Sequence, residues 1–422
     1  MGSDKYLFIV TESESANGIC AKKVMQSLAE RGHEVFCITN REYGMDHTFV
    51  SGGVSYVAIK QRFVMSIDSY LRHAKPSSLK KRILKAVFKI LNKLKLMSAY
   101  FSWPLISPSY CRRYCREALR LVKEHDIDCI VPIYKQIDPL IAGSMIKKRM
   151  PEKVVIPVLF DALSGGSGPR IFSEKKMIKR GLRWEKKVLY NADAVVAMES
   201  SREHYERYKE KCGFYSRLSF LDIPLISRPE PSLAAAPDVF ENGKINLLFV
   251  GTIVEHIRNP KKLFEVFLNI KNDDLRLNIV GTNDCPELMK AAASTDSRVK
   301  LIPFMSHGEV TALMDKADVL VNIGNNTPSL VPSKIFEYMS KGKPIISTAP
   351  IDNEPSARYL DRYRLAFVLY ENRLDCDKAS KELEAFILEG IKDSVPFEET
   401  KKEFYLNTPE AFCDFLQNVT GA

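Results

Sequence analysis

No apolar stretch in the 422-residue chain approaches the roughly 20 residues that cross a bilayer, and Met1 to Val10 lacks a signal-peptide core. The expectation is a soluble cytoplasmic protein, or one resting on the inner face of a membrane without spanning it. Nine cysteines are scattered with no CxxC spacing, which argues against a disulfide framework and for a reducing compartment. Seven histidines form neither HExxH nor HxH, so no histidine-built metal site is expected. No GxGxxG follows the first apolar run, no acid closes the second, and GxxxxGK[ST] is absent. NAD, FAD and P-loop ATP chemistry are thereby disfavoured. The last absence is local: between Leu71 and Arg116 there is no Asp or Glu.

That same stretch holds twelve basic residues: Arg72, Lys75, Lys80, Lys81, Arg82, Lys85, Lys89, Lys93, Lys95, Arg112, Arg113 and Arg116. Subtracting this +12 from the formal +10 leaves the remainder at −2. On a helix, Ile83, Leu84, Val87, Phe88, Ile90, Leu91 and Leu94 share one face. Lys81, Arg82, Lys85, Lys89 and Lys93 share the other, and Tyr100, Phe101 and Trp103 follow. A basic face opposite an apolar one suits an anionic membrane surface, with aromatic rings at the headgroup layer. The competing reading is a core helix with a solvated Lys face. Nucleic acid ranks third, because no RRM, zinc-finger or helix-turn-helix pattern accompanies the charge.

Hydrophobicity at 45% and charge at 27% describe a globular chain of two or three domains. Continuous Val/Ile/Leu runs at Tyr6–Val10, Val35–Thr39, Cys129–Tyr134, Val154–Phe160 and Ala194–Met198 alternate with helical spacing. Such runs predict parallel strands covered on both faces. Thr11 to Gly18 reads as the first loop and Ile19–Ala29 as the first helix. Residues 227–244, with three prolines and an Ala run, read as a linker. Strands then recur at Ile245–Val250, Leu275–Val280, Lys300–Ile302, Val319–Val321 and Pro344–Ser347. The expectation is α/β: two doubly wound Rossmann-like domains facing a cleft, at 1–226 (with the basic insert at about 72–116) and 245–396. A terminal helical stretch occupies 397–422.

In the later half, Pro332 and Ser333 precede a helical run from Lys334 to Lys341, with Ser333 as a candidate N-cap. The open first-turn amides suit an anion, and Lys334 at that end opposes the helix dipole unless an anion is near. Glu337, one turn in, is placed to accept ribose hydroxyls. Gly251 and Thr252 end a strand, and Arg258 brings a guanidinium to the carboxyl ends of the sheet, where parallel sheets bind ligands. Cations and helix amides then hold phosphate without a metal or other cofactor. Asp126 and Asp128 read as a solvated turn, and Asp375 and Asp377 as part of a charged surface stretch, rather than as metal pairs.

LLFVGTIVEHIRNPKKL, LNIVG, VKLIPFMSHGEVTALMDKADVLVNI and above all PSKIFEYMSKGKPIIS resemble the donor-binding domain of the retaining GT-B glycosyltransferases of family 4. The last has the PSKxFEYxxxGKP form of capsule, exopolysaccharide and lipopolysaccharide enzymes. The first half is similar more weakly, through Asn17, Gly18 and LAERGHEV. The resemblance implies transfer of a hexosyl unit from a UDP- or GDP-linked sugar to a lipid-linked or other saccharide acceptor. It also implies paired acids eight residues apart; here Glu337 matches the second and Ser329 stands at the first. The family's diphosphate-holding pair is Arg then Lys. Thr252 takes the first place, Arg258 matches the second after a one-residue shift, and Lys334 compensates. Asp161, in LFDALSGG, corresponds to the acceptor-side acid, with helix capping as its alternative reading. An epimerase acting on nucleotide sugars and a non-catalytic scaffold are the rival functions.

Overall fold

Strands that are apolar along their whole length end up buried on both faces. In the computed structural model, which describes residues 4–13, 15–73, 79–165, 172–229, 234–328 and 331–421, the chain divides into two units. One unit comprises Met1–Pro224 with Pro409–Ala422; the other is Leu225–Thr408. Lys75 and Ser329, with the side chains of Arg72 and Tyr100, lie outside the described residues.

The first unit is built on β1 (Lys5–Ile9), β2 (Glu34–Arg41), β3 (Thr48–Ser51), β4 (Val54–Lys60), β5 (Cys129–Pro132) and β6 (Val154–Val155). Their order is β3-β4-β2-β1-β5-β6, parallel except for β3 against β4. That β3–β4 hairpin turns on Gly52 and Gly53 at φ +56° and +74°, the left-handed values a two-residue turn requires. A second sheet joins β7 (Val158–Leu159), β8 (Val195–Met198) and β9 (Leu218–Leu221). The single strand expected over Val154–Phe160 is therefore two short ones in different sheets. Pro157 lies between them and has no N–H to give a ladder; an isolated bridge from Ile133 to Val158 spans the break.

The second unit holds one parallel sheet: β10 (Ile245–Ile253), β11 (Leu275–Asn283), β12 (Val299–Ile302), β13 (Val319–Ile323), β14 (Ile345–Ala349) and β15 (Ala366–Tyr370). The order is β12-β11-β10-β13-β14-β15, so chain direction across the sheet reverses between β10 and β13. Gly251 and Gly281 sit in register, and a Cβ on Gly281 would lie 1.9 Å from the Gly251 carbonyl oxygen. Only glycine lets the two strands approach there.

Residues 227–244 belong to the second unit rather than standing apart as a linker. Glu241 accepts a bidentate pair of hydrogen bonds from Arg276 at 2.7 Å each and pairs with Lys300 at 3.2 Å. The terminal stretch is likewise not one helix. Helix Phe397–Glu403 stays with the second unit, and helix Pro409–Thr420 groups with the first, against helix Ala16–Glu30. Buried Phe412 and Leu416, and an Arg31–Asp414 ion pair at 2.7 Å, hold it there.

Candidate active site

The reversal between β10 and β13 is where a parallel sheet opens a ligand crevice. Arg258 bridges it: Nε donates to Asn325 Oδ1 at 3.2 Å, just past β13, and Nη1 donates to the Thr252 carbonyl at 3.3 Å, near the end of β10. The Asn326 amide donates to the Ile257 carbonyl at 2.8 Å, a second tie across the same gap. Burial pushes the Arg258 guanidinium below its usual range, against the opposing pull of Tyr338 and Glu354. No carboxylate forms an ion pair with it among the described residues. A half-buried cation without a counterion favours an incoming anion.

Asn325 is held in turn by Glu354, a buried carboxylate. Glu354 accepts from the amides of Asn325 (3.1 Å), Ser356 (2.8 Å) and Ala357 (2.9 Å) and from the Ser356 hydroxyl (2.6 Å). Burial raises its carboxyl above the ordinary value and these hydrogen bonds lower it. Sequence reasoning missed both residues. The available signal was the small, polar GNN run directly after a buried strand, at the sheet's ligand-binding edge.

Helix Lys334–Ser340 adds two of the expected residues, with two corrections. Ser333 is helical in its backbone and makes no side-chain cap bond. The amides of Ile335 and Phe336 instead turn tightly onto the Pro332 and Ser333 carbonyls at 3.3 Å each. Lys334 does not await an outside anion either, since its Nζ pairs with Glu337 Oε2 at 2.9 Å. Tyr338, fully buried on the same helix, is raised by burial first and then by Glu337, and it feels Arg258. Thr252 is exposed, its hydroxyl 3.2 Å from that of Thr282.

In the first unit, Asn17 and Gly18 belong to the first turn of helix Ala16–Glu30, not to a loop; Ser15 caps it, its Oγ accepting from the Gly18 amide at 3.2 Å. A Cβ on Gly18 would meet the Glu12 carbonyl oxygen at 2.1 Å, so the preceding loop folds tightly over the helix end. Asn17 Nδ2 donates to the Tyr134 carbonyl at 2.9 Å and to Asp161 Oδ2 at 3.4 Å. Asn17, Gly18 and Asp161 are thus brought together, and Asp161 caps no helix among the described residues. Behind Asp161, Ser164 is clamped between the buried carboxylate of Glu185 (2.7 Å to its hydroxyl, 3.0 Å to its amide) and His204 Nε2 (2.8 Å). Burial raises the Glu185 carboxyl and lowers His204. This network, unseen in the sequence, fixes the backbone that carries Asp161.

The basic helix runs Leu79–Ser102. Leu84, Val87, Phe88 and Leu91 are half-buried, while Leu79, Ile83, Ile90, Leu94, Met97 and Phe101 are exposed, Phe101 at 78%. The exposed set recurs at helical spacing and forms one apolar stripe beside the face of Arg82, Lys85, Lys89 and Lys93. Lys81 is half-buried. Trp103 departs from expectation: its ring packs, partly buried, against the first unit's core, leaving Phe101 as the exposed aromatic. Among the described residues no helix is long and apolar enough to cross a membrane, and no three His, Cys, Asp or Glu side chains gather as a metal set.

Comparison with known proteins follows the same division. Residues 244–357 match the family model "Glycosyl transferases group 1". No curated protein sequence matches the chain. Solved structures align over nearly its full length. A glycosyltransferase from Rickettsia africae covers 99% of both chains at 10% identity and TM-score 0.60. HepE of Anabaena, solved with UDP-glucose, covers 99% of both at 12% identity and TM-score 0.55. WaaG, a glycosyltransferase of lipopolysaccharide biosynthesis, covers 97% of this chain and 99% of its own at 13% identity and TM-score 0.51. The chain has the GT-B fold, two Rossmann-like parallel-sheet units, and its second unit carries a glycosyl transferases group 1 domain.

Proposed function

We propose that the protein is a retaining glycosyltransferase that moves a hexosyl unit from a UDP- or GDP-linked sugar to a lipid-linked saccharide, in surface polysaccharide synthesis. The observation that carries this reading is the Arg258 bridge, a half-buried guanidinium with no carboxylate ion-pair partner among the described residues, at the switch point of a parallel sheet. The group 1 match over the same residues supports it, as does a structural neighbour solved with UDP-glucose.

Breaking the bond between anomeric carbon and phosphate oxygen leaves negative charge on the departing diphosphate. Arg258 is already oriented by Asn325 and Thr252, so it meets that charge with little reorganisation. Preorganised donors of this kind are worth about 3–4 kcal/mol each in a rate. Lys334 supplies a second cation once Glu337 turns from it to the ribose hydroxyls, an exchange of one salt bridge for two ligand contacts. Gly251, Thr252 and Ser333 approach the donor, and side-chain cations rather than a metal balance its phosphates. With no carboxylate nucleophile assigned, the departing phosphate takes the acceptor's proton on the same face. Asn17, Gly18 and Asp161 serve the acceptor. The apolar stripe and Lys face of helix Leu79–Ser102 rest on the anionic inner face of the membrane, where a lipid-linked acceptor resides.

The test is release of free nucleoside diphosphate from a panel of donors with a membrane extract as acceptor. Turnover that vanishes in Arg258→Ala and Glu337→Ala, with both variants folded, is the expected result. Full activity in both variants sinks the donor site. Release of nucleotide without any glycosylated product would point away from transfer, and sugar inversion without release would point to an epimerase. No reaction with any donor favours the scaffold reading.

A further inference from the structure

Away from both sites, helices Pro108–His125 and Ile137–Arg149 of the first unit line an open pocket of about 530 Å³. Arg112, Arg113, Arg116 and Arg149 line it, with Leu119 and Met145. The last two pack against the unit's apolar core. No carboxylate is among its walls. The nearest acids along the first helix, Glu117 and Glu124, are both taken by Arg120. Arg113 is steadied by the Lys60 carbonyl and by the Tyr110 ring, 5.4 Å from its guanidinium carbon. Arg149 Nη1 lies 2.8 Å from Cys115 Sγ. Arg112 and Arg116 make no hydrogen bond or ion pair among the described residues.

Four guanidinium groups around one pocket repel each other, and no carboxylate pairs with any of them among the described residues. Two are preset by the protein and two stay available, the arrangement that suits an oxyanion able to accept several forked donors at once. The volume falls in the range of small-ligand sites, about 300–1,000 Å³. We propose that this pocket binds a phosphoryl group, a phosphate ester or diphosphate, with Leu119 and Met145 seating the apolar part of the same molecule. The site lies wholly in the first unit and stands independently of the transferase reading.

The experiment starts from full-length protein carrying Arg258→Ala and Lys334→Ala, so that the donor region cannot take up the probe. Inorganic pyrophosphate is titrated calorimetrically with and without Arg112→Gln/Arg116→Gln; both arginines are exposed, and an unchanged melting temperature checks the fold. In parallel, phosphatidylcholine vesicles with and without phosphatidate are floated with protein whose Lys85, Lys89 and Lys93 are changed to Gln. Pyrophosphate binding that weakens at least tenfold in the double variant supports the site with a soluble ligand. Phosphatidate-dependent flotation lost in the double variant, without pyrophosphate binding, supports it with a lipid headgroup. Binding of neither probe, or equal binding with and without the two arginines, overturns the proposal.

Discussion

The two units share one sheet type and treat charge in opposite ways. The second places a single half-buried guanidinium, Arg258, at the carboxyl ends of β10 and β13 and spends Asn325, Glu354 and Ser356 on orienting it. The first gathers hydrogen-bonded polar groups and one carboxylate at the corresponding ends of its strands, around Asn17, Tyr134 and Asp161. Its cations lie out on helices Leu79–Ser102 and Pro108–His125, mostly exposed. A charge in a low-dielectric pocket acts strongly over one contact, while solvated charges are screened within about 8–10 Å and act only as a group. One unit thus concentrates its positive charge at a single half-buried contact, while the other spreads it over exposed helix faces.

If that contrast is right, Arg258→Ala should cost the most, about 10²–10³ in kcat. Its defect should barely respond to salt. Arg258→Lys should recover only part of the rate, because a lysine cannot hold Asn325 and the Thr252 carbonyl together. Steady-state kinetics at low and high ionic strength check both points. A loss that salt abolishes would place Arg258 with the solvated cations and erase the distinction.

Next in size is Gly281→Ala. With a Cβ 1.9 Å from a carbonyl oxygen, β11 must part from β10, at a cost of about 3 kcal/mol or more. Urea denaturation measures the loss, and a fall confined to the second unit's transition would show that the two units unfold separately. For the first unit, Lys85/Lys89/Lys93→Gln should lower partition onto anionic vesicles about 100-fold, at about 1 kcal/mol per cation. Here added salt should mimic the substitutions. Ile83/Ile90/Leu94→Ser should weaken neutral and anionic vesicles alike, which separates the apolar stripe from the charge.

How much of this could be read in advance differs between the units. In the second, five of the six strands lie where apolar runs placed them, β15 being unexpected, and Gly251, Arg258 and Glu337 sit within a few positions of a strand or helix end, so they were legible as candidates. Asn325 and Glu354 were not, because their partners are set by which strands neighbour each other, and β13 lies beside β10 despite two intervening strands. In the first unit, Pro157 hid a break inside an apolar run, and the Gly52-Gly53 turn, a strong local hairpin signal, was passed over. The Ser164–Glu185–His204 cluster joins residues 20 or more positions apart and left no local trace. Trp103 was misassigned for the same reason: ring exposure depends on a core that forms elsewhere in the chain.

The smallest effect tests the boundary between the units. Were residues 227–244 a spacer, Glu241 would titrate as an ordinary carboxylate; instead hydrogen bonds from Arg276 and Lys300 lower it to about 2. A depressed carboxylate stabilises the fold above its unfolded value near 4.5, and that contribution fades as pH falls from there toward 2. The pair is solvent-screened, so the difference should be modest. Glu241→Gln should melt slightly below the parent protein at pH 7, and the gap should narrow as pH falls below 4.5 and close only near pH 2. Equal melting temperatures at pH 7 would mean that the segment only connects the units. A gap that persists unchanged at pH 3 would mean that Glu241 acts through packing rather than through its charge.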